Sequence, residues 1–382
     1  MGLTVLQAQV EALRPQTVGE YRGATVAARF SDREAEFAAL RASCGVYDLG
    51  YRAKISLTGG DRVRWLNGMV TNNVRDLQPG HGVYAFLLNP QGRILGDLYG
   101  YNRGDSIVVD TDRSQVEKIL ATFDHYIIMD DVEVKELFSR DEGVRGSASP
   151  DAIPNQGAAD ASSAKPITAL GIAGPKARKV LAASGIQIPE MQPLEITEAK
   201  CTCGCECTTC PVVRGDDPTV ESYELWLAPA DVKKTWAALV QHGATPVGSE
   251  ALELWRIVSG TPLYGVDIRE RDLPQETEQS RALNFSKGCY IGQEIVERIR
   301  SRGAVHRKFC GFSADSNAGM TPGANVSFAD KAVGEITSVA SLGAGQPLLA
   351  LGYIRREVAV PGKEVLIGAS RAEVRELPFR GI

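Results

Sequence analysis

From His306 to the C-terminus, the sequence contains no stretch with the period of a long helix. Short apolar segments follow one another instead, among them RKFCGF, LLALGYI and EVLIG, and Gly and Pro separate them. Short strands with such turns between them are typical of a small β-barrel or β-sandwich. We therefore predict an all-β domain at the C-terminus, and the rest of the chain must fold around other cores.

Before His306, helical and strand patterns alternate, which indicates an α+β body. The segment SDREAEFAALRASCG has helical spacing, and Ser31 followed by Glu34 predicts a capping box at its start. The segment GVYAFLLNPQGRILGDLYGYNRGDSIVVDTD predicts three strands joined by tight turns. Residues 141–166 are rich in Gly, Ala, Ser, Asp and Pro, and we interpret them as a linker or a long surface loop.

Size and charge restrict the class of protein. A chain of 382 residues exceeds what one core ordinarily serves, so two or three domains are expected. The net charge of −5 implies no general attraction to nucleic acid, and no direct binding to it is expected. The sequence has no apolar run of about 18 residues and no basic-then-apolar start, so we predict a cytoplasmic protein without a membrane span.

Five of the eight cysteines crowd into CTCGCECTTC, residues 201–210. In an extended strand, four of these thiols would share one face, and clustered thiolates suit Cu(I), Zn or iron–sulfur centres. The spacing is too dense for ordinary zinc sites, and one strand rarely completes a coordination sphere. A thiol-rich edge strand and an anomaly in the sequence remain as alternatives, so we assign no metal to Cys201, Cys203, Cys205, Cys207 and Cys210.

Another cysteine lies in the segment KGCYIGQE, residues 287–294. Lys287 precedes Cys289 by two residues, and a helix is predicted to start at Gln293. A nearby cation and a helix N-terminus both favour a thiolate over a thiol, which would make Cys289 reactive. The alternative is a buried, inert cysteine that packs like a small apolar side chain.

KGCYIGQE resembles the signature of the YgfZ-type folate-binding proteins. That group is related to the aminomethyltransferase (T-protein) of glycine cleavage and includes mitochondrial factors that assist iron–sulfur cluster assembly. The resemblance extends to YDLGYRAKISLTGGDRVRWLNGMVTNNV (47–74), NPQGRILGDLYGY (89–101) and LWRIVSGTPLYGVDIRERDLPQE (254–276). It therefore covers nearly the whole chain.

The resemblance implies an α+β fold in which three domains form a T-protein-like ring around a central hole that holds a reduced folate. Two α+β domains would be interleaved in sequence, and a β-barrel would follow them. The boundaries that we predict are 1–48 plus 140–248 for the first domain, 49–139 plus 249–304 for the second, and 305–382 for the barrel.

The resemblance also implies the site and its ligand. Cys289 would be the key thiol and Asp97 a catalytic acid or base. The cofactor would be tetrahydrofolate or a one-carbon derivative of it. The residues expected to bind it are Lys287, Tyr290, Gln293, Glu294, Arg256 and Asn89.

Three departures from the transferases put aminomethyl transfer in doubt. Their hairpin reads GGIxDD, whereas this chain reads GRILGD, so Gly96 replaces one acid and only Asp97 remains. Val220 stands where their Tyr-Thr-Gly-Glu-x-Gly segment has glutamate. Leu252 and Glu253 stand where they carry an Arg-Asp pair. A buried ligand group that loses its partner costs about 1–3 kcal/mol, so three losses would weaken such a site.

These observations predict a folate-binding protein that supports iron–sulfur cluster assembly or repair, with assembly proteins or client enzymes as partners. The alternative is a tetrahydrofolate-dependent aminomethyltransferase that uses Asp97 as base. A third possibility is a folate-dependent enzyme that acts on modified tRNA or on another one-carbon substrate.

Overall fold

The computed structural model describes residues 2–9, 15–138, 166–202, 208–303, 305–315 and 319–381. It shows a mixed α+β fold with a closed β-barrel at the C-terminal end. Most of the linker predicted over 141–166 lies outside the described residues, and so do three of the clustered cysteines, Cys203, Cys205 and Cys207.

The described residues form helices and strands in a mixed order. The α-helices are α1 (Val5–Gln9), α2 (Arg33–Ala42), α3 (Arg62–Met69), α4 (Val116–Tyr126), α5 (Ala177–Ala183), α6 (Val232–Gln241), α7 (Ser249–Val258) and α8 (Gln293–Arg302). The strands of the first part are β1 (Thr17–Tyr21), β2 (Ala24–Arg29), β3 (Gly45–Asp48), β4 (Arg52–Thr58), β5 (Gly82–Leu88), β6 (Ile94–Asn102), β7 (Ile107–Asp112) and β8 (Glu133–Glu136). The remaining strands are β9 (Thr168–Ala173), β10 (Ile186–Gln187), β11 (Ile196–Cys201), β12 (Thr209–Arg214), β13 (Ser222–Leu227), β14 (Thr245–Pro246), β15 (Arg307–Ala314), β16 (Asn325–Phe328), β17 (Lys331–Ser341), β18 (Leu348–Arg355), β19 (Glu364–Ile367) and β20 (Ser370–Arg375).

The first sheet has seven strands in the order β10-β11-β12-β13-β9-β3-β14. One of its faces packs in an apolar core with α1, α5 and α6. Its interior strand β9 is buried along its whole length, because the sheet is covered on both faces. Gly171 on this strand leaves room for the ring of Tyr47, which would lie only 2.0 Å from a Cβ atom there.

The second sheet has five antiparallel strands in the order β5-β6-β7-β4-β8. Alternate residues of these strands form an apolar core with α3 and α4, including Ile55 and Val109. The residues between them point to the opposite face of the sheet, because successive side chains of a strand alternate. That face carries the charged side chains of Arg52 and Lys54 on β4, so it is polar where the helix-covered face is apolar.

The C-terminal strands close into a barrel in the order β15-β18-β17-β16-β19-β20. This confirms the prediction of a β-barrel after His306. Its interior is filled with apolar side chains such as Phe312 and Ile336, and both are fully buried. The barrel is therefore a packed core and not a ligand-binding tube.

A buried carboxylate joins the barrel to the α+β body. Asp267 accepts hydrogen bonds from Arg256 on α7 and from Thr337 and Ser338 on β17, and also from the main-chain N–H of Leu263. Asp267 is 0% exposed. Its negative charge is thus balanced by the Arg256 guanidinium and by three further donors.

The start of α2 differs from the prediction. Asp32 is the N-cap, and its Oδ1 accepts a hydrogen bond from the N–H of Ala35 at 3.0 Å. The main-chain N–H of Ser31 donates instead to the buried Glu36. The predicted capping box of Ser31 and Glu34 was wrong, because two good capping residues adjoin and packing selected the second one.

None of the helices in the described part of the chain is long and apolar enough to cross a lipid bilayer.

Replacing Asp267 by Asn should destabilise the protein strongly, because the buried Arg256 would lose the fully buried one of its two carboxylate partners. We expect the free energy of unfolding to fall by about 3–5 kcal/mol. Chemical denaturation measures this change. The matched control is Glu357→Gln, which removes an exposed carboxylate 4.0 Å from Arg355 and should change the free energy by no more than about 0.5 kcal/mol. Equal stability of both variants would contradict the role assigned to Asp267.

Candidate functional site

A cavity of about 180 Å³ is lined by residues from both sheets, from β1 and from α7. Aromatic rings form much of its wall. Tyr21 and Tyr51 meet edge to face at 5.0 Å, and Tyr99 and Tyr101 stack at 6.3 Å between ring centres. Such walls suit a flat, ring-shaped ligand, because aromatic faces stack on other π-systems. The aromatic lining residues are Tyr21, Tyr47, Tyr51, Tyr99, Tyr101 and Trp255.

Charged residues of the second sheet adjoin this wall; Arg52 lines the cavity itself, and its partners lie behind it. Arg52 donates to Asp110 at 2.9 Å and to Asp112 at 2.8 Å. Lys54 donates to the other oxygen of Asp110 at 2.9 Å, and both of these side chains are fully buried. The strand register places Arg52 opposite Asp112 and Lys54 opposite Asp110, so each cation meets a carboxylate across the β4–β7 pair.

Glu224 on β13 brings a carboxylate from the first sheet to the same place. Its Oε2 lies 3.7 Å from Nζ of Lys54 and accepts a hydrogen bond from Trp226 at 3.3 Å. Burial and the negative charge of Asp110 raise the pKa of Glu224, against the lowering effect of Lys54 and Arg52. Glu224 lines the cavity, so its carboxylate can accept hydrogen bonds from N–H groups of a ligand.

Asp97 lies on the cavity-facing side of β6, the side that also carries Tyr99 and Tyr101. Its carboxylate accepts hydrogen bonds from Tyr84 and from Gln115, both at 2.7 Å. Burial raises the pKa of Asp97, and the charge of Asp112 adds to this shift.

The neighbouring Gly96 points the other way. A Cβ atom there would lie 3.0 Å from Oε1 of Gln115 and 3.6 Å from Ile119 of α4. Of the two positions that are acidic in the transferase hairpin, the one that shares a face with the cavity wall is therefore Asp97.

Arg256 also lines the cavity, but its guanidinium is held by protein groups. It donates to both oxygens of Glu253, to Asp267, to Ser338 and to the carbonyl of Thr261. Arg256 thus lies at the cavity wall, and its guanidinium links several protein segments to one another.

An ion pair between Arg281 and Asp216 marks one side of the cavity. Arg281 also lies over the ring of Tyr84, 4.4 Å from its centre. Both residues of the pair line a second, larger groove of about 570 Å³, which reaches β15 and the C-terminal segment. The cavity and the groove therefore share a boundary at this pair.

The KGCYIGQE segment lies beside α3. Lys287 is buried, and its ammonium donates to the carbonyls of Asn67, of Val70 at 2.6 Å and of Asn72 at 2.8 Å. Burial, together with the positive charge of Arg75, lowers the pKa of Lys287 to about 7. The three carbonyls oppose this effect, because only the ammonium form can donate to all of them.

Cys289 is exposed, whereas Cys44, Cys201 and Cys210 are buried in the core behind the first sheet. Cys310 is half-buried, and burial raises the pKa of its thiol to about 12. Among the described cysteines, Cys289 is thus the one that is exposed. The described residues contain no group of three or more His, Cys, Asp or Glu side chains arranged to hold a metal.

The remaining predicted ligand residues cluster near Cys289. Tyr290 is buried, and the main-chain N–H of Tyr290 donates to Gln293 at 3.3 Å. Glu294 pairs with Arg298 one helical turn later, and its side chain is 81% exposed. The side chain of Asn89 closes a turn by accepting from the N–H of Arg93 at 2.9 Å.

Gly292 at the start of α8 has φ +80 and packs closely against the turn at Asn89. A Cβ atom on Gly292 would lie 2.6 Å from the carbonyl oxygen of Asn89. The close approach that this glycine permits is therefore between two protein segments.

The sequence matches the family model described as the GCVT N-terminal domain, over residues 10–145 and 151–287. The chain belongs to this family. Its KGCYIGQE loop and its cavity are connected through Asn72, whose carbonyl accepts from Lys287. The amide nitrogen of Asn72 donates to the carbonyls of Tyr84 and Arg281, both at 2.8 Å. In this GCVT-family protein, the loop that carries Cys289 is thus two hydrogen bonds away from the cavity wall.

Several relatives cover most of the GCVT-family chain. A putative chloroplastic transferase from Arabidopsis thaliana is 24% identical over 336 residues, which is 87% of this chain and 71% of the relative. An aminomethyltransferase from Halothermothrix orenii is 26% identical over 374 residues, or 94% of this chain and 95% of the relative. The solved structure of the glycine cleavage system aminomethyltransferase T from Bartonella henselae has a TM-score of 0.81 at 18% identity, covering 99% of this chain and 98% of that one. At that identity the structural likeness shows the fold.

Sequence reasoning missed the charged cluster behind the cavity and missed Glu224. A signal was present in the strands themselves. Arg52 and Lys54 are two residues apart in one apolar strand, and Asp110 and Asp112 are two residues apart in another. Charges of opposite sign with period two on two strands predict a buried cross-strand network once the strands are paired.

Lys287→Met should destabilise the GCVT-family protein, because three carbonyls near the end of α3 would lose their buried donor. We expect the free energy of unfolding to fall by about 2–4 kcal/mol. Chemical denaturation provides the measurement, with Cys289→Ala as the matched change in the same loop. Cys289→Ala should lower it by no more than about 0.5 kcal/mol, because the side chain is exposed. A Lys287→Met variant as stable as wild type would contradict this role.

Proposed function

We propose that this protein binds tetrahydrofolate or a one-carbon derivative of it in the cavity of about 180 Å³, the central cavity. We also propose that it supports the assembly or repair of iron–sulfur clusters through Cys289. The expected partners are cluster-assembly proteins or client enzymes of the cytoplasm. The observation that carries the proposal is the cavity of about 180 Å³, with its aromatic walls and the desolvated carboxylate of Glu224.

The cavity offers what the pteridine ring of a folate requires. That ring is flat, so it can stack on the tyrosine side chains of the wall. It also presents an amino group beside a ring N–H, and a carboxylate accepts such a pair of donors with two parallel hydrogen bonds. Glu224 is the residue that we assign to this contact. Family membership supports the same ligand class, since the aminomethyltransferases among the relatives are folate enzymes.

The second half of the proposal depends on Cys289. Its sulfur is exposed, which is the condition for contact with a cluster or with another protein. Thiolate sulfur is a preferred ligand of iron–sulfur centres. The connection through Lys287 and Asn72 to Tyr84 and to the wall residue Arg281 supports a coupling between the occupied cavity and this thiol.

Aminomethyl transfer is the second candidate, and the position of Asp97 on the cavity-facing side of β6 favours it. Two observations stand against it. Both oxygens of Asp97 already accept hydrogen bonds, from Tyr84 and Gln115. The cavity is lined by Leu252 at a position where the transferases carry arginine. We therefore rank it below the cluster-assembly function.

Titration with 5-formyltetrahydrofolate tests the ligand. Quenching of tryptophan fluorescence should report binding on the order of micromolar, because Trp255 lines the cavity. Glu224→Gln should weaken binding about tenfold or more, since a charge-assisted hydrogen bond is lost. Cys289→Ala should bind like wild type. Folded wild-type protein that binds no reduced folate would remove the ligand proposal.

Complementation in cells that lack a cluster-assembly factor of this type separates the two functions. Cys289→Ala should abolish complementation, because the exposed sulfur is removed, whereas Cys310→Ala and Asp97→Asn should retain it. A purified wild type that transfers aminomethyl groups to tetrahydrofolate, and loses this activity on Asp97→Asn, would favour the second candidate instead.

A further inference from the structure

Four arginines line the cavity, and they differ in how many of their donors are used. Arg52 donates to two carboxylates and to the carbonyl of Asp110. Arg256 uses its Nε and both terminal nitrogens. Arg281 is paired with Asp216 and donates through Nε to Gln279 at 3.3 Å. These three side chains are held mainly by the protein.

Arg22 is held much more weakly. Within the part of the chain that the structure describes, its guanidinium donates one long hydrogen bond, 3.4 Å from Nη1 to Asp112. Its Nε is buried and has no hydrogen-bond partner there. The side chain is 18% exposed and lies over the rings of Tyr21 at 5.0 Å and Tyr51 at 5.5 Å. A cation in this position has been partly removed from water while most of its donors remain unused.

The backbone at Arg22 is also unfavourable for an arginine. Arg22 and Gly23 form the two-residue turn between β1 and β2, and Arg22 has φ +51. Turns of this kind favour Asn-Gly, because residues other than Gly, Asn and Asp adopt positive φ at a cost of about 1 kcal/mol.

The turn is fixed in place against the end of β7. A Cβ atom on Gly23 would lie 2.5 Å from the nitrogen of Ser114, whose N–H donates to the carbonyl of Arg22 at 3.2 Å. The backbone that carries the Arg22 side chain toward the cavity is therefore held in place.

We propose that Arg22 is a ligand-binding residue whose unused N–H donors bind a planar oxygen acceptor of the molecule in the central cavity. This inference depends on the proposed folate site and adds to it. Arginine presents parallel donors that match a carboxylate or a ring carbonyl, and stacking on Tyr21 and Tyr51 orients that fork.

A reduced folate presents such acceptors in two places. One is the carbonyl of the pteridine ring, and the other is the p-aminobenzoylglutamate tail, with its amide carbonyl and two carboxylates. Two probes distinguish them: 5-formyltetrahydrofolate carries both groups, and 6-methyltetrahydropterin carries the ring alone.

The decisive variant is Arg22→Asn, because Asn suits the turn better than Arg does. We expect a melting temperature equal to or higher than that of wild type, together with about tenfold or weaker binding of 5-formyltetrahydrofolate. Arg22→Lys should bind 5-formyltetrahydrofolate with an affinity between those of wild type and Arg22→Asn, since lysine keeps the charge and loses the two parallel donors. Arg64→Asn is the control, because Arg64 is exposed on α3. This variant should bind 5-formyltetrahydrofolate with the affinity of wild type.

Each outcome decides a separate point. Loss of affinity for both probes in Arg22→Asn assigns the ring carbonyl, and loss for 5-formyltetrahydrofolate alone places the acceptor outside the ring, on the formyl group or the tail. Unchanged affinity for both probes overturns the role of Arg22 and leaves the folate site intact. Wild-type protein that binds neither probe overturns the folate proposal and this inference together.

Discussion

The arrangement of the site depends on one buried charge, the ammonium of Lys54. It is fully buried on the second sheet, pairs with Asp110 at 2.9 Å and lies 3.7 Å from Glu224 on the first sheet. A buried cation must keep its partners, because an unpaired charge in the interior costs several kcal/mol. The two sheets are therefore joined here by charge as well as by apolar contact. A sheet face with this many charges cannot be packed with apolar side chains alone, which explains why a polar cavity remains between the sheets.

A second charged contact connects the cavity to the barrel. Arg256 reaches from the cavity wall to Asp267, and Asp267 binds Thr337 and Ser338 of the barrel. Although the barrel has its own apolar core, one of its contacts with the body is thus made by a residue that also lines the site. A similar division of roles holds at Lys287, which serves the packing of α3 while its neighbour Cys289 is left open to solvent.

Much of the fold could be predicted from local pattern. The all-β C-terminal domain followed from short strands separated by Gly and Pro, although this pattern left a barrel and a sandwich open, and α8 begins at Gln293 as expected. The start of α2 could not be chosen correctly, because Ser31 and Asp32 are both good caps and only the burial of Glu36 decides between them. Of the candidate site residues, Arg256 lines the cavity and Asp97 lies on the strand face that also carries Tyr99 and Tyr101, whereas Asn89 and the segment 287–294 form a separate cluster. Motif resemblance assigned all of them to one ligand, because a motif carries no information on distance.

The sequence by itself determined the order of the elements, the all-β C-terminal domain and the family, because these depend on period, turn residues and local motifs. Only the tertiary structure decided which charges meet. Arg52 and Lys54 are more than fifty residues from Asp110 and Asp112, and their pairing exists only in the register of β4 with β7. The same holds for Glu224 and Arg22, which reach one cavity from distant parts of the chain. Long-range pairing of side chains follows from strand register and sheet packing, and neither can be read from neighbouring residues.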